Sequence, residues 1–111
     1  MILRTWRGAV RTHDAEEYGR YVDATGLAAY SKTPGNLGAA MVRRPSPDDG
    51  GATTEFLVLS YWESMEAVKR FAGPTPETAV FYPEDERFLV RRDLTVDHYE
   101  VVVRRDSAGA A

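Results

Sequence analysis

Within residues 54–72 the hydrophobic positions show first the pattern of a strand and then the spacing of a helix, which predicts a strand that leads directly into a helix. Large or apolar side chains occupy almost every position of the first part, so neither face of the strand suits water. One face carries Phe56, Val58 and Ser60, and the other carries Leu57, Leu59 and Tyr61. After Trp62 the spacing changes to three and four residues, which is typical of an amphipathic helix. Its stripe is formed by Met65, Val68, Phe71 and Ala72. Ser64 is placed to cap this helix, and Gly73 precedes a proline that ends it.

The rest of the chain predicts three more strands and one more helix. A first strand is expected over residues 2–10, a second over residues 37–44 and a last one over residues 95–104. A helix capped by Asp14 is expected to run to about Tyr30, with one face formed by Tyr18, Tyr21, Val22, Thr25 and Ala29. Residues 33–36 predict a turn in which Gly35 adopts a positive φ, and residues 45–51 predict an exposed hairpin loop.

The order of these elements is βαββαβ, which is typical of the ferredoxin-like α+β fold. In this fold both helices cover one face of a four-stranded antiparallel sheet, so the opposite face is left bare. Because Leu57, Leu59 and their neighbours would form a large apolar patch there, we expect a homodimer that packs through this sheet face. Residues 1–105 are expected to form a single domain, and residues 106–111 a disordered tail.

Composition narrows the range of functions. The chain has 111 residues, no cysteine and a net charge of −3 with a pI near 5.4, so disulfides and thiolate metal sites are excluded and nucleic-acid binding is not expected. No apolar stretch reaches the ~20 residues that a membrane helix needs, and the N-terminus lacks the pattern of a signal peptide. We therefore expect a cytoplasmic protein that does not associate with membranes. Ligand-spaced histidine and carboxylate sets are also missing, so no metal site is expected.

Five segments together resemble the antibiotic biosynthesis monooxygenase family. They are residues 2–8 (ILRTWRG), 33–36 (TPGN), 57–64 (LVLSYWES), 81–85 (FYPED) and 97–101 (DHYEV). The resemblance covers Met1 to about Val103 and implies a dimeric α+β barrel. The strand-to-helix segment is its most recognisable part, and it marks the fold rather than the chemistry.

The resemblance implies two chemistries to test. The heme-degrading branch uses an asparagine, a tryptophan and a histidine, where this chain has Trp6, Phe71, and Phe81 or Tyr82; no histidine occurs between His13 and His98. Heme is therefore possible but not favoured. The anthrone-oxidising branch uses no metal or prosthetic group, and its pocket contains tryptophan, tyrosine, asparagine and arginine. The matching residue types here are Trp62, Tyr82, Asn36 and Arg87.

From these observations we expect a cofactor-independent monooxygenase that acts on an aromatic or polyketide-like substrate. The predicted catalytic residues are Tyr82, Arg87 and His98, and the predicted substrate-binding residues are Trp6, Asn36, Trp62, Phe71 and Phe81. Arg87 or Asn36 would stabilise an oxyanion. The alternatives are a non-catalytic dimer that binds heme or another small ligand, and a cyclase or isomerase on the same scaffold.

Two of these predicted sites have structural alternatives. His98 is either a base that ionises a phenol or anthrone, or a partner of Glu100 at the dimer interface, since these two residues share a strand face. Residues 81–88 form either the rim of a pocket or a solvated turn in which Arg87 is a counter-ion of the neighbouring acids.

Overall fold

A computed structural model describes residues 1–110 of the chain. The strands are β1 (Ile2–Arg11), β2 (Asn36–Pro45), β3 (Thr53–Trp62), β4 (Leu89–Arg92) and β5 (Asp97–Glu100). The α-helices are α1 (Ala15–Val22), α2 (Ala28–Lys32), α3 (Met65–Ala72) and α4 (Asp85–Phe88). Short 3₁₀ turns occur at Thr12–Asp14 and Ala108–Ala110. Ala111, the last residue of the predicted tail, lies outside the described residues.

The strands form one antiparallel sheet in the order β2, β3, β1, β4, and β5 also pairs with β1. Burial alternates strictly along β3, because the helices cover one face of the sheet only. On that covered face Phe56, Val58 and Ser60 are almost fully buried. On the opposite, open face Leu57 and Leu59 are only half-buried. The predicted ferredoxin-like α+β fold is therefore confirmed, as is the predicted division of β3 between two faces.

The first predicted helix is present but is not a uniform α-helix. Between α1 and α2 the chain makes a π-helical turn over Asp23–Leu27. A π turn contains one residue more than an α turn and rotates everything that follows it. Tyr30 is therefore buried, whereas the predicted Ala29 is only half-buried. The predicted cap is wrong, because the Asp14 side chain accepts no hydrogen bond at the helix start.

The predicted last strand, residues 95–104, is present but shorter, as β5 (Asp97–Glu100), and the sheet has five strands instead of four because β4 was not predicted. β4 pairs with residues 8–10 of β1 and β5 pairs with residues 2–5, so the edge of the sheet is interrupted between them. Backbone groups in the interruption bind the loop after α3 instead. The Ala79 amide donates to the Leu94 carbonyl at 3.0 Å, and the Val96 amide donates to the Glu77 carbonyl at 2.9 Å. We call residues 73–84 the cover loop.

Two local features have the structure that the sequence predicts, the cap of α3 and the turn at Gly35. Ser64 caps α3, since its hydroxyl accepts a hydrogen bond from the Ala67 amide at 3.2 Å. Gly35 has a φ of 93°, which glycine adopts readily. A side chain at Gly35 would also overlap Ala67, so the turn packs directly against α3.

Within residues 1–110, no helix combines the length and the apolar character needed to cross a membrane.

Candidate active site

A cavity lies between the covered face of the sheet and the helices, and the cover loop contributes Val80 and Tyr82 to its wall. The space open to the centre of a water molecule is about 50 Å³, and all unfilled space out to solvent is about 510 Å³. Sites that hold drug-sized ligands typically measure about 300–1,000 Å³. The cavity as it stands therefore admits a few water molecules, and a substrate with several rings fits only after the wall rearranges.

Arg4 lines this cavity and is the most buried charged residue of the protein, with 3% of its surface exposed. It lies in β1 on the covered face, directly opposite Ser60. Its guanidinium donates to the Pro76 carbonyl at 2.6 Å and to the Thr78 carbonyl at 3.4 Å. It thus fastens the cover loop to the sheet while its positive charge stays at the cavity.

No ion pair neutralises Arg4 within residues 1–110. Its close partners are neutral carbonyls and an imidazole, and its guanidinium carbon lies 5.9 Å from the centre of the Phe71 ring. Burial lowers the pKa of Arg4, against the opposing effects of Tyr30 and Glu77. Arginine remains protonated in proteins, so Arg4 is a buried cation that forms no ion pair among the described residues.

His98 lies beside Arg4, with its Nε2 atom 2.9 Å from Arg4 Nη1. Because a guanidinium only donates hydrogen bonds, Nε2 must accept, and the ring must carry its proton on Nδ1. Burial and the charge of Arg4 lower the pKa of His98 in agreement with this neutral form, and Glu77 and Asp97 oppose the shift. His98 therefore positions Arg4 from the covered face of β5 and does not itself line the cavity.

Asp85 is a buried carboxylate elsewhere in the cavity wall, at the start of α4. Its Oδ2 accepts a hydrogen bond from the Tyr82 amide at 2.6 Å, and its Oδ1 accepts one from the Tyr18 hydroxyl at 3.5 Å. Burial raises the pKa of Asp85, although both hydrogen bonds and the charge of Arg92 act in the other direction. A carboxylate in this environment can exchange a proton closer to neutral pH than an exposed one.

Three tyrosines, Tyr18, Tyr30 and Tyr82, complete the polar part of the wall. Burial raises the pKa of all three, and for Tyr30 it outweighs the effects of Arg4 and Ser60. The phenols therefore stay protonated at neutral pH and act as hydrogen-bond donors rather than as bases.

The apolar part of the wall includes two residues predicted from the sequence, Trp6 and Phe71. Trp6 lies over Gly8, where any side chain would overlap the indole ring, and its indole N–H donates to the Asp93 carbonyl at 2.8 Å. Phe71 packs edge-on against Tyr30, with ring centres 4.6 Å apart. With Tyr82, these are the three predicted site residues that the structure brings to the cavity.

The other predicted site residues lie outside the cavity wall. Trp62 is fully buried in the core, where its indole N–H donates to Ser60 at 2.8 Å. Asn36 bonds the Tyr61 carbonyl and the Gly38 amide at the start of β2. Phe81 packs edge-on against Trp6 with ring centres 6.1 Å apart, and the Arg92 guanidinium carbon lies 4.8 Å from the centre of the Phe81 ring. Arg87 is about half-exposed and pairs with Glu17 and Glu84, at 3.3 and 3.1 Å.

Sequence reasoning missed Arg4 and Asp85, the two charged residues of the cavity. Arg4 alternates in β1 with Leu3 and Thr5, so a charge on the covered face of a central strand was a signal available in the sequence. Asp85 gave no such signal, because it stands in a run of three acids, Glu84, Asp85 and Glu86, of which only Asp85 is buried.

The residues present do not fit an axially ligated heme. No histidine, methionine or cysteine lines the cavity among the described residues, and its tyrosines are held neutral. His98, the nearest histidine, already uses Nε2 to accept from Arg4. Within residues 1–110 there is also no group of three or more side chains that could hold a metal ion.

Comparison with known proteins gives matches among solved structures only. No protein-family model matches the sequence, and no curated protein matches it. A Bacillus cereus protein provisionally named an antibiotic biosynthesis monooxygenase is 17% identical, with a TM-score of 0.66, over 96% of both chains. A Nitrosomonas europaea protein with the same provisional name is 14% identical, with a TM-score of 0.61, over 93% of this chain and 100% of that one.

A third match is the heme-degrader MhuD from Mycobacterium tuberculosis, with two hemes bound in its active site. It is 19% identical, with a TM-score of 0.62, over 96% of this chain and 100% of that one. At these identities the likeness concerns the fold. The chain thus has the fold of MhuD and of proteins named antibiotic biosynthesis monooxygenases, which confirms at the level of the fold the resemblance drawn from its sequence.

Proposed function

We propose that the protein is a cofactor-independent monooxygenase that acts on an aromatic or polyketide-like substrate in the cavity. The observation that carries this proposal is the buried charge of Arg4, which forms no ion pair among the described residues, in a cavity wall that is largely aromatic and aliphatic. A buried cation without a counter-ion is costly unless an anion binds beside it. A substrate that becomes an anion during the reaction supplies that partner at the point where it lowers the barrier.

In the proposed reaction, the anion of an aromatic substrate reacts directly with O₂. Removal of a proton leaves a delocalised carbanion, which gives an electron to O₂ and then combines with the resulting superoxide to form a peroxide. Loss of water from this peroxide converts the original CH₂ group to a ketone, so that R₂CH₂ and O₂ give R₂C=O and H₂O. The substrate supplies all four electrons, and no further reductant is needed.

The cavity residues have distinct roles in this proposal. Arg4 stabilises the negative charge that develops on a substrate oxygen, in place of the predicted Arg87. Trp6 and Phe71 hold the aromatic rings, and Tyr82 donates a hydrogen bond from its neutral phenol. His98 positions Arg4 through its Nε2 contact and is a positioning residue rather than the base.

The proposal is tested by oxygen uptake with anthrone as the probe and no added cofactor. We expect one O₂ consumed for each anthraquinone formed, with one oxygen-18 atom from labelled O₂ in each product molecule. Uptake that requires added metal or heme, or product oxygen that comes from water, would contradict a cofactor-independent monooxygenase.

We further propose that the protein is a homodimer through the open face of the sheet. This face carries Leu3, Leu57, Leu59, Tyr61 and Tyr99, which no helix covers. Two copies that face each other would remove this apolar surface from water. Native mass spectrometry should give twice the chain mass of 12.4 kDa.

A non-catalytic heme-binding dimer is the second candidate, and it rests on the fold shared with MhuD. The two candidates differ in a heme titration. An enzyme without an axial ligand in its cavity gives no sharp, saturable shift of the Soret band, whereas a heme-binding protein gives one.

A further inference from the structure

The part of the cavity around Asp85 carries a second feature that the charge of Arg4 does not explain. Asp85 is a buried carboxylate with 6% of its surface exposed, and no cation pairs with it among the described residues. Its neighbours across the packing are Tyr18 from α1, Tyr82 from the cover loop and the more distant Arg92 from β4. One cavity therefore contains the Asp85 carboxylate and the Arg4 guanidinium, and neither forms an ion pair among the described residues.

The two oxygens of Asp85 are not equivalent. Oδ2 is held by the Tyr82 amide at 2.6 Å, which fixes the orientation of the carboxylate. Oδ1 has only the Tyr18 hydroxyl at 3.5 Å, a long contact that leaves its lone pairs available. Since Asp85 lines the cavity, Oδ1 is the atom that can receive a proton from a bound molecule.

The sheet register separates this acid from Arg4. Tyr18, the partner of Asp85, packs edge-on against Phe56, which lies opposite Gly8 of β1. Arg4 lies four residues before Gly8 in the same strand, about 13 Å from Gly8 along the strand axis. Asp85 and Arg4 are therefore associated with different parts of the covered face, Asp85 with the part near Gly8 and Arg4 with the part near Ser60.

We propose that Asp85 is the general base of the site, and that the substrate is a conjugated aromatic carbonyl compound whose acidic C–H group and oxygen lie at opposite ends. This inference rests on the proposed function and names its base. In the step, the substrate C–H bond breaks and an O–H bond forms on Asp85 Oδ1. The electron pair of the C–H bond remains on the substrate and is delocalised onto the oxygen beside Arg4, so nothing is oxidised or reduced.

The raised pKa of Asp85 supports this role, because a base works best when its pKa approaches the working pH. A purely structural Asp85 would pin the turn before α4 through the Tyr82 amide. Both roles use Oδ2, and only the catalytic role needs a carboxylate that can be protonated.

Hydrogen exchange of anthrone in D₂O without oxygen separates the two roles, since it measures proton removal alone. Asp85→Asn retains an oxygen for the Tyr82 amide and loses the base, so we expect its NMR-detected exchange rate above background to fall by about 10²–10⁴-fold. The matched control, Glu84→Gln, removes a neighbouring surface carboxylate and should exchange like the wild type. Equal exchange by Asp85→Asn and wild type would overturn the proposal.

A second measurement, the pH dependence of exchange, uses only the wild-type protein and so does not depend on the folding of a variant. The wild-type exchange rate should rise with pH through one inflection above the ordinary carboxyl range of about 3.9, as Asp85 ionises. A rate independent of pH through that range would overturn the assignment. Wild-type exchange without oxygen uptake would keep Asp85 as the base and remove the monooxygenase, whereas exchange equal to background would remove both.

Discussion

The two faces of the central strand β3 differ in how they use polar residues. On the covered face, buried polar groups stand among apolar ones: Ser60 bonds the Trp62 indole, and Arg4 lies opposite it on β1. On the open face, Leu57, Leu59 and Tyr61 follow one another with little polar interruption and only partial burial. Burying a polar group costs free energy unless it forms hydrogen bonds. A large exposed apolar patch is unusual unless another surface packs against it. This difference is the reason why we propose the covered face for the chemistry and the open face for dimer assembly.

The largest expected effect is on the covered face, at Arg4. Arg4→Met removes the cation and should lower kcat for anthrone oxidation by about 10²–10³-fold, as for the loss of one oxyanion donor. Arg87→Met is the matched control, since that arginine pairs with Glu17 and Glu84 outside the cavity. It should keep wild-type turnover, in contrast to the role predicted for Arg87 from the sequence. Loss of activity in Arg87→Met with an active Arg4→Met would reverse the two roles.

On the open face, Leu59→Asp should break the dimer, because each copy would bury an unpaired charge at the interface. Native mass spectrometry should then give a single chain of 12.4 kDa. Ser31→Asp adds the same charge on the exposed surface of α2 and should leave the mass of the assembly unchanged. A Leu59→Asp protein that keeps the wild-type mass would show that the open face is not the interface.

A smaller effect is expected at Ser60, which tests whether polar groups on the covered face are paired. Ser60→Ala leaves the buried Trp62 indole N–H without its acceptor and should lower the free energy of unfolding by about 1–3 kcal/mol. The same substitution at exposed Ser31 should change it by less than about 0.5 kcal/mol. Chemical denaturation of the two variants makes the comparison, and equal stabilities would contradict it.

The smallest effect compares two aspartates whose pKa values shift in opposite directions. Burial raises the pKa of Asp85, so its charge costs stability once the pH rises from about 3.9 through the raised value. Asp85→Asn should therefore have a higher Tm than the wild type at neutral pH, and the difference should disappear in acid.

Asp49 is the opposite case, because the Thr53 hydroxyl at 2.6 Å lowers its pKa. Its ionised form stabilises the hairpin loop above the ordinary carboxyl pKa, and this stability is lost as the pH falls through the lowered value. Asp49→Asn should have a lower Tm at neutral pH, with a smaller difference in acid. Thermal unfolding from pH 3 to 8 measures both variants, and shifts of the same sign would contradict the assignment.

The sequence predicted the sheet better than the cavity, for physical reasons. Alternation along β3 and the cap at Ser64 are local signals, and both are confirmed. The interruption between β4 and β5 depends on hydrogen bonds to the cover loop, which lies more than ten residues away in the chain. Local patterns contain no information on such pairing, so β4 was not predicted and the last strand was predicted over residues 95–104, longer than β5.

The candidate site shows the same limit. Trp6, Phe71 and Tyr82 were predicted from residue type and lie in the cavity wall, whereas Trp62 has the same chemistry and is buried in the core. Arg4 and Arg87 are both arginines near aromatic residues, and only the fold decides which one is buried. The type of residue can thus be read from the sequence, but its convergence on a cavity cannot.

Binding of para-nitrophenol tests most directly the claim that Arg4 makes this an anion-stabilising cavity, since the phenolate and the phenol absorb at different wavelengths. We expect the wild type to bind the phenolate more tightly than the phenol and to lower the pKa of the bound probe. Arg4→Met should abolish this preference, and Arg87→Met should retain it. Equal affinity for the two forms, or an unchanged preference in Arg4→Met, would show that Arg4 does not stabilise an anion in the cavity.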